Sequence, residues 1–194
     1  MEDKTPPLIL LCAGASTRMG FPKGLMEWQG EPLLIHQIES FLQLEFGRVV
    51  LVLGHHHERY RECLALKSYE RVHIVMNHEP ERGQFSSLKE GVALIPQASW
   101  AFLLPIDCPA PHPEVWSALW QARGGQISAL IPSMRKKSGH PLLLGAKMLE
   151  AIRTAPADSR LDSLLQSCPE DEKKYVEVAD ERIHANINTL DRTN

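Results

Sequence analysis

Short apolar runs alternate with amphipathic segments from residue 8 to residue 132, and this alternation constrains the fold more than any other feature of the sequence. The runs are rich in Val, Ile and Leu and are apolar on both faces, which is typical of strands that are covered on both sides. Between them, apolar residues recur at three- and four-residue spacings with polar residues opposite, which is typical of amphipathic helices. The predicted strands are 8–13, 48–54, 71–77, 100–106 and 126–132, and the predicted helices are 32–44, 58–68, 84–95 and 113–123.

A strand-helix-strand unit repeated four times requires parallel pairing through right-handed crossovers. We therefore predict a three-layer α/β/α fold, doubly wound around a mostly parallel, Rossmann-like sheet. The pattern weakens after residue 132, where we predict a strand at 140–145, helices at 146–154 and 159–168, and a late strand or edge hairpin at 173–180. No repeat, low-complexity tract or long linker interrupts the 194 residues, so we expect a single domain over 1–194.

Charge and cysteine usage exclude several function classes. The formal net charge of −3 gives no general attraction to nucleic acid or to an anionic membrane, so a phosphate site must be built locally. The four cysteines are widely spaced without a CxxC pair, which predicts reduced thiols in a cytoplasmic protein rather than a zinc site or a disulfide framework. The first apolar run, of about six residues, is too short for a signal-peptide core or a membrane span.

The segment after the first predicted strand, AGASTRMGFPK, places glycines and cations at the carboxyl end of that strand, where open α/β sheets bind ligands. Gly14 and Gly20 let the backbone approach a ligand closely. Arg18 and Lys23 supply a guanidinium and an ammonium group for phosphate oxygens, which together suggest a triphosphate. The segment is neither a dinucleotide GxGxxG motif nor a Walker A loop. From these residues alone, a glycine-rich turn with two solvated cations is an equally good interpretation.

Polar residues also follow the third and fourth predicted strands. Gly83, Ser86 and Ser87 begin a helix with backbone donors and hydroxyl groups, which favours a polar or anionic ligand but also fits ordinary N-capping. Asp107 directly follows the fourth strand. A carboxylate there is costly unless it is paired or metal-bound, so we predict a Mg²⁺ ligand.

Three further fragments carry polar side chains. Gly139 and His140 stand at the head of a predicted strand, where the imidazole either contacts a phosphate or lies at the surface. Asn186 and Asn188 would share one face of an extended segment and could supply amide oxygens to a metal. His55–His57 cannot all face one way on a strand or a helix, so we interpret them as a loop without a physiological metal.

These fragments stand in the order found in the MobA-like NTP transferases, which include the molybdenum cofactor cytidylyltransferases. LCAGASTRMGFPK resembles the signature loop of that family, and GQFSSLKEGV, LLPIDCP, GHPLLL and NINTLD resemble its later motifs, so the resemblance covers nearly the whole chain. It implies a nucleotide-binding fold and an Mg²⁺-dependent nucleotidyltransferase. Such an enzyme would move an NMP from CTP or GTP to the terminal phosphate of a molybdopterin-type acceptor and release pyrophosphate.

The resemblance also implies roles for individual residues. It makes Lys23, Arg18 and Asp107 catalytic, and it makes Asp107 and Asn188 the metal ligands, with Asn186 as the alternative to Asn188. The implied nucleotide-binding set is Cys12, Ala13, Gly14, Ala15, Ser16, Arg18, Lys23, Gly83, Ser86 and Ser87.

The choice of base and acceptor follows from the same fragments. Ala13 stands where guanylyl-transferring relatives tend to carry glycine, and together with GHP and GQFSSL it favours CTP, whereas NINT resembles the guanylyl branch. Gly139 and His140 are implied on the acceptor side, and transient contact with a molybdoenzyme or its chaperone is implied for the product. A sugar-phosphate nucleotidyltransferase and a non-catalytic nucleotide-binding homologue stay open as alternatives.

Overall fold

The computed structural model describes residues 5–16 and 20–187, so Arg18 and Asn188 lie outside the described residues. The strands are β1 Leu8–Cys12, β2 Glu27–Trp28, β3 Glu31–Pro32, β4 Val49–Leu53, β5 Val72–Met76, β6 Trp100–Pro105, β7 Ala129–Met134, β8 Lys137–Ser138, β9 Leu142–Gly145 and β10 Lys173–Glu177. The helices are α1 Leu33–Leu42, α2 His57–Ala65, α3 Gln84–Ala93, α4 Pro113–Ala122, α5 Ala146–Thr154 and α6 Leu161–Ser167.

Eight strands form the main sheet in the order β10-β7-β9-β6-β1-β4-β5, with β8 paired to β7 and with β2 and β3 forming a separate hairpin. β1 lies between β4 and β6 and runs parallel to both, so Leu10 stands opposite Leu51 on one side and Leu104 on the other. β9 runs antiparallel between β6 and β7. This sheet confirms the predicted doubly wound, mostly parallel fold.

Both faces of the sheet are covered, which is why the central strands are apolar throughout. Side chains alternate along β1, so Leu8 and Leu10 join one core with α1 and α4, while Ile9 and Leu11 join the other with α3. Each buried Leu or Ile stabilises the fold by about 1.5–3 kcal/mol relative to an exposed one. α3 lies close to the sheet at Gly91, where an added Cβ would stand 2.5 Å from Ile9 Cγ2.

Two predictions about the strands need correction. The run 71–77 was expected to be covered on both sides, but β5 is the last strand of the sheet, and His73 and Ile74 are exposed. The strand predicted at 140–145, for which no direction was predicted, begins at Leu142 and runs antiparallel to β6 and β7. Neither neighbour number nor strand direction is encoded in a short apolar run.

The C-terminal part of the described chain also differs from its prediction. Asn186 was expected on an extended segment, but it follows a 3₁₀ turn, Glu181–His184, and Ile187 is already helical. The turn forms because Asp180 caps it, accepting the backbone N–H of Arg182 at 3.0 Å. Among the described residues, no helix has both the length and the apolar character needed to span a lipid bilayer.

Candidate functional site

The carboxyl ends of β4, β1 and β6 lie side by side, because the three strands are neighbours and run in the same direction. The segments that follow them therefore meet at one edge of the sheet. We call residues 13–24 the β1 loop; the structure describes it except for 17–19. The amino end of α3 lies at the same edge, since α3 packs on β1 and β4.

Lys23 and Asp107 meet at this edge. Lys23 begins a 3₁₀ turn, Lys23–Leu25, and its Nζ lies 3.2 Å from Oδ2 of Asp107. The side chains are 19% and 24% exposed, so each charge is partly removed from water and compensates the other. The sequence predicted that a carboxylate directly after β6 needs a partner, and its partner in the structure is Lys23.

The backbone around Asp107 is held by a buried amide that the sequence analysis missed. Nε2 of Gln37 donates to the carbonyl oxygens of Ile106, at 2.9 Å, and Cys108, at 3.1 Å. These two peptide groups flank Asp107, and the Gln37 side chain is fully buried. The sequence nevertheless indicated that Gln37 has a structural role. It lies three residues after Leu34 on the apolar face of α1, where a polar side chain is costly unless it makes hydrogen bonds.

The C-terminal segment reaches the same carboxylate. Nδ2 of Asn186 donates to Oδ2 of Asp107 at 3.2 Å, and the backbone N–H of Ile187 donates to the Asp107 carbonyl at 2.9 Å. The structure thus brings Lys23, Asp107 and Asn186 together from three distant parts of the chain. Of the two predicted asparagines, the structure describes only Asn186, and Asn186 lies beside Asp107. Asn188 lies outside the described residues.

The β1 loop folds back on itself. Ser16 has a φ of 49°, in the left-handed region, and its Oγ accepts the backbone N–H of Lys23 at 3.4 Å. The Gly20 N–H donates to the Ser16 carbonyl at 3.2 Å. Cys12 and Ala13 are buried and Gly14 is exposed, so the predicted nucleotide-binding residues run from the end of the core to the surface.

The thiols at this edge are neutral. Burial first, and the negative charge of Asp107 second, raise the pKa of Cys12 well above its ordinary value. The same causes, with a hydrogen bond to Asp107, raise the pKa of Cys108 to about 12. All four cysteines are free, as the sequence predicted, and neither of these two is a thiolate nucleophile.

The amino end of α3 contains three further predicted residues. Gly83 precedes the helix with a φ of 100°, a conformation that favours glycine. Nδ2 of the buried Asn77 donates to the Oγ atoms of Ser86 and Ser87, at 2.9 Å each, and Ser86 donates to the Gly83 carbonyl at 2.8 Å. The two hydroxyl groups thus fasten the start of α3 to the end of β5. Their contact with a nucleotide stays a prediction.

Gly139 and His140 lie across the site from the β1 loop. An added Cβ on Gly139 would stand 2.2 Å from the Ile183 carbonyl oxygen, and His140 donates its backbone N–H to that oxygen at 2.9 Å. Burial lowers the pKa of the His140 imidazole, and the more distant charges of Asp107 and Asp162 only partly oppose it. His140 is therefore neutral at neutral pH and can contact a phosphate only as a neutral donor.

Two clefts meet at His140. The smaller, of about 490 Å³, borders Asp107 and Asn186, and the larger, of about 770 Å³, extends towards α6. The larger cleft has an apolar floor and charged groups at its rim. Its floor includes Leu103, Ile131, Leu142 and Leu165, and its rim includes Arg82, Arg160, Asp162 and Lys173. A volume of this size suits a whole small-molecule ligand.

A divalent cation would find an incomplete set of protein ligands. Within residues 5–16 and 20–187, no three His, Cys, Asp or Glu side chains form a metal-binding group. Mg²⁺ commonly binds through one or two carboxylates together with substrate phosphates and water, and Asp107 with the Asn186 amide fits that arrangement. The Lys23 ammonium already stands as a cation at Oδ2 of Asp107.

The chain is similar to known nucleotidyltransferases. Residues 8–174 match the family described as the MobA-like NTP transferase domain. A molybdenum cofactor cytidylyltransferase from Escherichia coli (strain K12) is 27% identical over 184 residues, covering 94% of this chain and 91% of the relative. A probable molybdenum cofactor guanylyltransferase from Bacillus cereus (strain AH187) is 26% identical over 189 residues, covering 93% and 90%. The solved structure of a nucleotidyl transferase from Methanothermobacter matches with a TM-score of 0.80 at 18% identity, covering 97% of this chain and 95% of that one, and so shares its fold.

Proposed function

Because the chain belongs to the MobA-like NTP transferase family, we propose that it transfers an NMP from an NTP, with CTP favoured, to the terminal phosphate of a molybdopterin-type acceptor. Pyrophosphate is the second product. The observation that carries the proposal is the Lys23–Asp107 pair beside the β1 loop, at 3.2 Å. We further propose that residues 1–194 act as one domain and that the reaction takes place in the cytoplasm, in keeping with four free thiols.

Lys23 and Asp107 have separable roles in this reaction. The backbone donors of the β1 loop, with Arg18, hold the triphosphate, and the Lys23 ammonium leaves Asp107 for the phosphate oxygens. There it stabilises the charge that grows on the departing pyrophosphate. Asp107, with Asn186 or Asn188, would hold Mg²⁺, which when bound neutralises part of the charge on the triphosphate.

The bond changes need no nucleophilic side chain. An oxygen of the acceptor's terminal phosphate attacks the α-phosphorus, and the bond from that phosphorus to the β-phosphate oxygen breaks. Positioning and charge neutralisation supply the rate in such reactions. The neutral thiols of Cys12 and Cys108 support direct displacement, because neither is poised to form a covalent nucleotidyl intermediate.

The larger cleft supports a bulky acceptor. Its apolar floor suits a ring system, and its rim cations, such as Arg82 and Arg160, suit a phosphate. Ala13, which stands where guanylyl-transferring relatives tend to carry glycine, favours CTP. The product would then pass to a molybdoenzyme or its chaperone.

One assay tests the class, the base and the acceptor together. The protein is incubated with Mg²⁺, one NTP at a time, and molybdopterin or a sugar 1-phosphate, and pyrophosphate is measured. We expect release with molybdopterin and more from CTP than from GTP. Release only with the sugar phosphate would favour the alternative enzyme. Binding of NTP by calorimetry without any release would indicate a non-catalytic homologue.

A further inference from the structure

The turn between β4 and α2 contacts the β1 loop at two consecutive residues. We call residues 54–60, which comprise the turn after β4 and the first residues of α2, the histidine turn. His57, which was predicted to lie in a loop, is the first residue of α2. The backbone N–H of His55 donates to the Ala13 carbonyl at 3.1 Å. The imidazole of His56 lies with Nε2 3.0 Å from the Ala15 carbonyl oxygen. Because a carbonyl only accepts, Nε2 carries the proton and donates it.

Two later residues of the histidine turn contact the far end of the β1 loop. The guanidinium of Arg59 stands over the Phe21 ring, 4.7 Å from its centre. The hydroxyl oxygen of the buried Tyr60 accepts the backbone N–H of Gly24 at 3.3 Å. The loop is thus held on both sides of its undescribed residues, from one seven-residue turn.

The histidine turn approaches the β1 loop closely. A Cβ on Gly54 would lie 2.9 Å from the Ala13 carbonyl oxygen. His56 adopts a left-handed conformation, with φ 58° and ψ 21°, which is uncommon for residues other than glycine but in which histidine is enriched. In this conformation the His56 imidazole lies within hydrogen-bond distance of the Ala15 carbonyl oxygen.

Stability does not account for this arrangement. The His56 side chain is exposed, and an exposed hydrogen bond contributes little to global stability, whereas the left-handed backbone costs free energy. A metal site does not account for it either. Nε2 of His56 and Nδ1 of His57 are both directed at backbone carbonyls, those of Ala15 and of Gly54.

We propose that His56 is a positioning residue for nucleotide binding. Its imidazole fixes the Ala15 peptide, so that the N–H of this peptide, which belongs to Ser16, stays oriented for the phosphates before the nucleotide arrives. Preorganised donors bind tighter because the ordering cost has been met in advance. The inference rests on the proposed function, since it assumes that the β1 loop binds an NTP.

His56→Gly separates positioning from stability. It removes the imidazole and at the same time relieves the positive φ, so we expect an unchanged or higher melting temperature. We expect Mg²⁺-CTP and Mg²⁺-GTP to bind about five- to tenfold more weakly by calorimetry, the loss of one hydrogen bond. His55→Ala is the matched control, because His55 acts through its backbone N–H, and it should bind as the wild type does. His56→Gln, which keeps an N–H donor, should recover part of the affinity.

Hydrogen exchange of the nucleotide-free protein tests the contact independently. The backbone amides of residues 13–16, 20, 21, 23 and 24 should exchange faster in His56→Gly and at the wild-type rate in His55→Ala. Unchanged exchange in His56→Gly overturns the inference, as does a parallel loss of melting temperature and affinity. A wild type that binds no nucleotide refutes the proposed function and with it the role of His56 in nucleotide binding, whereas a wild type that binds and a His56→Gly variant of unchanged affinity overturn the inference alone.

Discussion

Asp107 is the residue on which most contacts of the site converge. It accepts from Lys23 and Asn186 at 3.2 Å each, and its flanking carbonyls accept from Gln37. Asp107→Asn keeps the size and the backbone contacts but removes the charge. We expect turnover to fall roughly a hundredfold or more, as when a charge-stabilising group is lost, while the melting temperature changes little. Near-normal turnover in a pyrophosphate assay would remove Asp107 from the reaction.

Lys23→Met tests the other half of the pair. It keeps most of the aliphatic stem but removes the ammonium that lies on Asp107. If Lys23 binds phosphates, kcat/KM for the NTP should fall by at least an order of magnitude, because a charged group in the transition state contributes more than an ordinary hydrogen bond. A melting temperature that fell as strongly as kcat/KM would instead show that the ion pair is mainly structural.

Gln37→Met tests the support beneath the site. The buried carbonyls of Ile106 and Cys108 would lose their donor, which costs about 1–3 kcal/mol for a buried group left unpaired. We expect a lower urea midpoint and a reduced kcat with little change in NTP affinity, since the β1 loop is not contacted by Gln37. Glu90→Gln is the control, because Glu90 is exposed on α3, which packs on the opposite face of the sheet from α1.

At the scale of elements, the 3₁₀ turn Glu181–His184 depends on the ionisation of Asp180. Its carboxylate accepts the N–H groups of His112, at 2.6 Å, and Arg182, at 3.0 Å. Burial raises the pKa of Asp180, but these hydrogen bonds and the Arg182 charge outweigh it, so the pKa lies below its ordinary 3.8. A lowered folded pKa stabilises the protein above the unfolded value, and that contribution is lost as the pH falls through the folded value.

The corresponding prediction compares urea midpoints of the wild type and Asp180→Asn between about pH 6 and pH 3. The wild type should be the more stable protein at the upper end, and the difference should begin to shrink below about pH 4, where Asp180 of the unfolded chain becomes protonated, and shrink further as the pH falls through the lower folded pKa. A difference that is the same at both ends of the range would contradict the assignment.

Element types could be predicted from the sequence where burial alone decides them. β1, β4 and β6 are apolar on both faces, and α5 has the predicted bounds, 146–154, because its apolar stripe ends at both caps. The antiparallel direction of β9 could not be predicted, since β9 is as apolar as the strands of the sheet that run parallel to one another. The segment around Asn186 was predicted wrongly because its turn depends on Asp180 bonding to His112, which is distant in sequence.

The site could be predicted in part, because some of its residues can be recognised from their place in the chain. Asp107 follows β6 closely, so its position in the chain fixes its place at the sheet edge, and Lys23 was found from the cations of the loop that follows β1. Gln37 and His56 act from other elements, on the flanks of Asp107 and of the β1 loop, and no local pattern relates them to those targets. The residues predicted to bind a ligand could be recognised from local motifs in the sequence. The residues that hold them in place are recognised only from contacts in the three-dimensional structure.

At the scale of the whole molecule, a bound nucleotide would connect segments that are far apart in the chain. A nucleotide bound between the β1 loop and Asp107 should stabilise the fold as a whole, by about 2.7 kcal/mol at a hundredfold excess over Kd. We expect the melting temperature to rise with Mg²⁺-CTP, less with Mg²⁺-GTP, and to fall back when a chelator removes the metal. A rise that survives chelation would show that the nucleotide binds without Mg²⁺.

The antiparallel direction of β9 has a consequence for how this fold can diversify. A strand that runs against its neighbours begins where they end, so the connection from β7 to β9, with its tight β8 hairpin at Arg135 and Lys136, lies at the site edge. That connection can change in length or sequence without moving β6 or β1, which carry Asp107 and the β1 loop. If the larger cleft binds the acceptor, as we propose, acceptor specificity can change at this connection while Asp107 and the β1 loop stay in place.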